Sequence, residues 1–258
     1  MKPQPARSGE AVGANSPPDR PMGESLSAQR EGSPVSPTSA AGAGRANGSG
    51  VQRQPAPASV VPNRRLTAAE LRASMLRTLA PLTPEAPLWV FGYGSLIWKP
   101  EFDFDERVPA RIFGFHRRLC LRSVRYRGTE DCPGLVAGLD RGGSCAGVLY
   151  RLAGRARGAQ FARLWEREMF LGSYAAHWLA ARRLDGGGSV RALAFVVRRE
   201  AGNYCGKLPQ PEVLHVLRCA HGIYGSSLDY LRHTVAALRA EGLRDRHLEQ
   251  LLAQAERR

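Results

Sequence analysis

Apolar residues fall into ordered runs only beyond residue 62, and the runs predict a mixed fold. Thr67-x-x-Glu70 reads as a capping box opening a short helix towards Leu79. Pro81, Pro84 and Pro87 end it. Leu88 to Trp98 is apolar throughout except at Gly92, Gly94 and Ser95, a buried strand followed by another apolar stretch. Residues 108–124 are β-type but broken by Gly114, and 134–140 and 145–152 predict short strands around Gly142-Gly143. Residues 159–171 predict a helix and 190–198 another buried strand. Leu228, Leu231, Val235 and Leu238 form one helical stripe stopped by Gly242, and Asp245 caps a last helix carrying Leu248, Leu251 and Leu252. No internal repeat is visible. Short strands ahead of a helical end predict an α+β domain, a small closed sheet with helices packed outside.

Composition divides the chain. Residues 1–62 hold ten of the eighteen prolines and no Phe, Trp or Tyr. Such a segment buries too little apolar surface to offset its ordering entropy, so 1–62 is expected to be a disordered tail. Residues 63–87 form a helix and Pro-rich lead-in, and 88–258 a catalytic-size domain. Met22 and Met75 are possible later starts.

The formal net charge is +14, and the tail, with six basic and four acidic residues, supplies only +2 of it. An excess of that size raises nucleic-acid binding. The Arg pairs at 64–65, 117–118, 182–183 and 198–199 are scattered, with three Lys in the whole chain, so no nucleic-acid partner is expected. A solvated surface, or one that attracts a small anionic substrate, fits the spread better. The five Cys are dispersed without a CxxC pair, which argues against a disulfide framework or a zinc site and for reduced thiols in the cytoplasm. No secretory signal, transit peptide or membrane span is expected.

The segment from Phe161 to Gly172 carries the sharpest chemical signal. On a helix, Phe161, Leu164, Trp165 and Gly172 share one face, and Glu168 falls in its middle. Arg163, Glu166 and Arg167 point elsewhere, as surface charges do. A carboxylate on an apolar stripe is costly unless paired or functional. Desolvation there raises its pKa towards the range of a general acid or base. A structural Glu held by a buried Arg or by backbone amides fits the same pattern.

Phe91-Gly-Tyr-Gly-Ser-Leu-Ile97 sets two glycines and a serine at a strand end. Glycines let backbone amides approach an anion or a developing oxyanion closely. Neither a P-loop nor a dinucleotide fingerprint is present. A bulge or tight bend would need the same glycines.

Together the two segments resemble the ChaC family of γ-glutamylcyclotransferases. The resemblance rests on Phe91 to Trp98 and on Arg167-Glu168-x-x-Leu171-Gly172-x-Tyr174 some seventy residues later. Tyr126-Arg127-Gly128-Thr129 with Pro133-Gly134, and Gly147-Val148-x-Tyr150, continue it. Ala220-x-Gly222-x-x-Gly225, Tyr230-Leu231, Leu238 and Gly242-Leu243-x-Asp245 complete it, from about Leu88 to about Leu252. Ser173 stands where Gly is common and Tyr126 where His is frequent. The resemblance implies a compact β-barrel with flanking helices. It implies cleavage of glutathione to 5-oxoproline and cysteinylglycine in the cytosol, without a metal or organic cofactor. Glu168 takes the catalytic position, and Gly92, Tyr93, Gly94, Ser95, Leu96 and Ile97 the substrate-binding loop. Arg127 is a candidate for a substrate carboxylate by bidentate pairing. Tyr174 and Tyr204 are candidates for pocket lining, with core packing the competing role. Cyclotransfer on other γ-glutamyl substrates and a non-catalytic γ-glutamyl-binding module remain the alternatives.

Overall fold

The computed structural model describes residues 63–83, 86–152 and 157–257. The expected tail lies outside the described residues. Five strands close into a barrel: β1 (Leu88–Gly92), β2 (Phe104–Ser123), β3 (Gly134–Leu152), β4 (Tyr174–Arg183) and β5 (Ser189–Val197). Around the barrel the order is β1-β3-β2-β4-β5. Neighbours are antiparallel except β1 and β5, which meet in parallel at Val90 and Leu193. This is the α+β barrel that the hydrophobic pattern predicts.

Every residue of β1 is buried because its two faces serve different layers. Leu88 and Val90 join the core beneath the helices, with Val148, Leu193 and Phe195. Trp89 and Phe91 enter a second layer, with Ile112, Leu139, Leu149 and several alanines of the strands and Tyr93 of the glycine loop.

The long β2–β3 ribbon differs from the broken strands predicted. Gly114 interrupts the apolar run without ending the strand: with φ +83 it sits where the register shifts between Phe113 and Phe115, so the ladder bulges and continues. β4 was not predicted at all.

Helices cover one side. α1 (Ala68–Leu79) opens on Thr67 and Glu70, which form the predicted capping box. α2 (Ser95–Trp98) is one short turn behind β1. α3 (Arg157–Met169) lies two residues earlier than the predicted 159–171, because Gly172, at φ +65, belongs to the turn after it. α4 (Gln210–Cys219), α5 (Ser227–Ala240) and α6 (Arg246–Glu256) complete the layer. Asp245 caps α6 as predicted, its side chain accepting from Leu248 N at 3.2 Å. All described residues belong to one unit, Gln54–Arg258.

Candidate active site

The glycine loop turns sharply from β1 into α2, and its carbonyls are tied backwards. Tyr93 O accepts from the Arg117 guanidinium. Leu96 O accepts from the Tyr150 hydroxyl at 2.9 Å, and Ile97 O from Arg107 Nη2 at 2.9 Å. A planar trans peptide points its N–H opposite its C=O. Fixing Tyr93 O on Arg117 therefore aims the Gly94 amide away from that guanidinium. Ser95 and Leu96 open α2, where amides have no intrahelical acceptor. Arg117 is itself buried and also holds Asp245 at 2.6 Å, which locks the loop to the cap of α6.

Gly94 is required by packing. A Cβ there would stand 2.8 Å from the Tyr230 hydroxyl. That hydroxyl accepts from Ala137 N at 3.2 Å, and the Tyr230 ring meets the edge of Trp98 at 6.1 Å between centroids. Tyr230 belongs to the C-terminal motif, but spacing gave no reason to single it out. Only the fold carries it from α5 to the loop.

α3 brings Glu168 to the same place. Phe161, Leu164 and Trp165 are buried beneath it as the helical stripe requires, and Glu166 is exposed. The Glu168 side chain is 13% exposed, and Oε1 meets Arg167 Nε at 3.2 Å. Burial pushes its carboxyl above the usual range; the Arg167 charge opposes the rise and Glu101 adds to it. Tyr93, Tyr174 and Tyr230 are buried in the same field. Burial first, with Glu168 among the further causes, raises each of their pKa values. Tyr93 donates to Phe195 O at 2.7 Å.

Arg167 is not the free surface charge expected. Its guanidinium reaches Ser95 Oγ at 3.0 Å, Lys99 O at 2.7 Å and Glu101 Oε2 at 2.8 Å. It joins the Glu168 helix to the glycine loop. Adjacency to Glu168 was its only signal in the sequence.

The remaining candidates, Arg127 and Tyr204, are engaged with other partners. Arg127 is buried against the rings of Trp98 and Tyr230, 5.6 and 5.7 Å from their centroids, and donates to Tyr224 O. It flanks the loop through Tyr230, with one side of its fork already engaged. The Tyr204 hydroxyl donates to Asp140 at 2.9 Å, in a cluster with Arg118 and Arg199. Both Tyr204 and Tyr174 pack on Cys120, Leu121 and Val197, but Tyr204 turns its polar end away to Asp140. Among the described residues no group of three or more His, Cys, Asp or Glu could hold a metal.

A closed barrel with a glycine loop, a largely enclosed carboxylate and three phenols around it describes a site suited to proton transfer. The family model of ChaC-like proteins matches residues 88–258, and the chain belongs to that family. It is 36% identical over 188 residues to the glutathione-specific γ-glutamylcyclotransferase of Escherichia coli (strain K12), covering 72% of this chain and 81% of that one. It is 31% identical over 174 residues to glutathione-specific γ-glutamylcyclotransferase 1 of Mus musculus, covering 66% and 78%. The fold is similar to the crystal structure of a glutathione-specific γ-glutamyl cyclotransferase from yeast, with a TM-score of 0.61 and 23% identity over 66% of this chain and 96% of that chain.

Proposed function

We propose that this chain is a glutathione-specific γ-glutamylcyclotransferase, releasing 5-oxoproline and cysteinylglycine in the cytoplasm, with Glu168 transferring the proton. The observation that carries the reading is a largely enclosed carboxylate, raised in pKa by burial, on a helix that Arg167 ties to the glycine loop at Ser95, in a chain of the ChaC-like family. No described helix is long and apolar enough to cross a membrane.

The reaction is intramolecular, so the protein's task is to hold a folded conformer of the substrate. The ionised Glu168 carboxylate takes a proton from the substrate α-ammonium. The freed amine attacks the γ-carbonyl carbon: a C–N bond forms, the ring closes, and the carbonyl oxygen becomes an oxyanion. Amides from Gly94 to Leu96 hold that oxyanion or the substrate α-carboxylate. Collapse breaks the old amide bond as Glu168 gives its proton to the departing nitrogen of cysteinylglycine. The ring nitrogen, left with two hydrogens and a positive charge, then passes one proton through the same carboxylate to the released amine. The products are the neutral 5-oxoproline lactam and a protonated cysteinylglycine amine. General acid–base transfer of this kind contributes about 10²- to 10⁴-fold. The raised pKa suits both halves, because a carboxyl nearer neutrality is the stronger base and still gives its proton back.

Arg167 works through position and charge. Its charge opposes the rise that burial gives the Glu168 carboxyl, and it ties α3 to Ser95.

The test is substrate choice. Purified full-length protein is given glutathione or γ-glutamyl-alanine, and 5-oxoproline is followed by mass spectrometry. Release from glutathione alone supports the reading. Release from γ-glutamyl-alanine alone keeps the chemistry and overturns the substrate. No release from either returns the chain to a γ-glutamyl-binding module.

A further inference from the structure

The turn that follows Glu168 contains Gly172 in the left-handed region, and a glycine turn has no side chain with which to fix itself. The next residue, Ser173, is 3% exposed although polar. Its hydroxyl is met from outside the family-matched region. Asn63 Nδ2 donates to Ser173 Oγ at 2.8 Å and to Asn203 Oδ1 at 2.7 Å. Asn203 is in turn fixed to β2: its carbonyl accepts from Arg122 N at 2.8 Å, and its side chain donates to Arg122 O at 3.3 Å. Both hydrogens of the Asn63 amide are therefore used, one on the turn and one on the barrel wall.

Other contacts of the same segment converge on α3. Leu66 N donates to Phe170 O at 2.9 Å. Trp165 Nε1 donates to Ser74 Oγ at 3.1 Å. These anchors fall three residues before Glu168 and two after it, and Ser173 five after. Beyond Ser173 comes Tyr174, whose hydroxyl shares the field of Glu168. α1 has one buried apolar side chain, Leu71. Its polar bonds reach α3, where Trp165 meets Ser74, and β4, where Trp178 Nε1 donates to Thr78 O at 3.1 Å.

We infer that Asn63 is a positioning residue for the cyclotransferase reaction: through Ser173 it fixes the 170–173 turn and so sets the Glu168 carboxylate and the Tyr174 hydroxyl in register with the glycine loop. The inference rests on Glu168 being the proton-transfer residue. A misplacement of about 1 Å at such a group costs on the order of a hundredfold in rate, so partial release of the turn should cost about tenfold.

The experiment uses full-length protein and four variants: Asn63→Ala, Ser173→Gly, the two combined, and Leu79→Ala. Leu79 packs on the core as the last residue of α1, at the opposite end of the helix from Asn63, so its loss should weaken α1 while leaving the Asn63–Ser173 bond in place. Initial rates of 5-oxoproline release from glutathione are measured at 25 °C against folded protein, with Tm for each variant. The inference expects kcat about tenfold lower in Asn63→Ala and in Ser173→Gly, no further loss in the double variant, and KM within about twofold of wild type. It expects Leu79→Ala to lower Tm and keep kcat. Wild-type kcat in Asn63→Ala, or losses that multiply in the double variant, overturns the clamp while leaving the function standing. A wild-type protein that releases no 5-oxoproline overturns both.

Discussion

A methyl group added at Gly94 would stand 2.8 Å from the Tyr230 hydroxyl and 3.6 Å from Ala137 Cβ. Ordinary contact begins near 3.4 Å, so about 0.6 Å must be found. The phenol has little room to yield: it is 5% exposed, seated against Trp98, and accepts from Ala137 N. Overpacking of this kind costs about 1–3 kcal/mol, or about 2–12 °C in Tm for a domain of this size. The loop is the other party that can move, and its displacement takes the Gly94–Leu96 amides away from Glu168. Gly94→Ala should therefore lose about tenfold or more in kcat as well as Tm. The steric part can be isolated. Tyr230→Phe deletes the conflicting oxygen, so in that background Gly94→Ala should cost little further stability, a coupling of about 1–2 kcal/mol in a thermal double-mutant cycle. The assay is unfolding followed by circular dichroism, with 5-oxoproline release beside it. A Gly94→Ala protein with wild-type Tm and kcat, or a Tm loss undiminished in the Phe background, would refute the close approach.

Three further outcomes are expected. Burial raises the folded-state pKa of Glu168, so the folded chain keeps a proton that the unfolded chain releases near pH 4.3. Stability then falls as pH rises from that value through the folded-state pKa, and Glu168→Gln, which lacks the loss, should gain in Tm over wild type between acid and neutral pH. Arg167→Ala removes the charge that holds Glu168 down, so the acid limb of kcat/KM should move to higher pH; an unmoved or lowered limb contradicts the pairing. Tyr204→Phe removes a bond to the buried Asp140 and should cost about 1.5–3 kcal/mol in denaturant unfolding while kcat stays within about twofold; a large loss of kcat at normal stability would place Tyr204 in the site.

Periodicity made the helices and the central carboxylate legible. Glu168 interrupts an apolar stripe, and a fault in a strong pattern is visible without a structure. Thr67 and Asp245 were readable as caps because capping is decided within four residues. β4 was not readable. Tyr174–Arg183 is half-exposed along most of its length and alternates poorly, and it is a strand because β5 and β2 pair with it across the barrel. The continuity of β2 through Gly114 was hidden for a related reason, since a bulge and a strand end use the same residue. The site shows the same division. The loop and Glu168 are local motifs. Arg117, Arg167 and Tyr230 act through partners distant in sequence, and their types alone, two arginines in a basic chain and a tyrosine in an amphipathic helix, suggest surface and core.

The central claim is that Glu168 carries the proton of the cyclisation. Its most direct test is Glu168→Gln, which keeps shape and removes the base. Purified wild type and variant are incubated with glutathione, and 5-oxoproline and cysteinylglycine are quantified together, with folding checked by circular dichroism. The account predicts equal amounts of the two products from wild type. For the variant it predicts a rate lower by about 10²- to 10⁴-fold with the fold intact. A folded Glu168→Gln protein that turns over glutathione at the wild-type rate would contradict it.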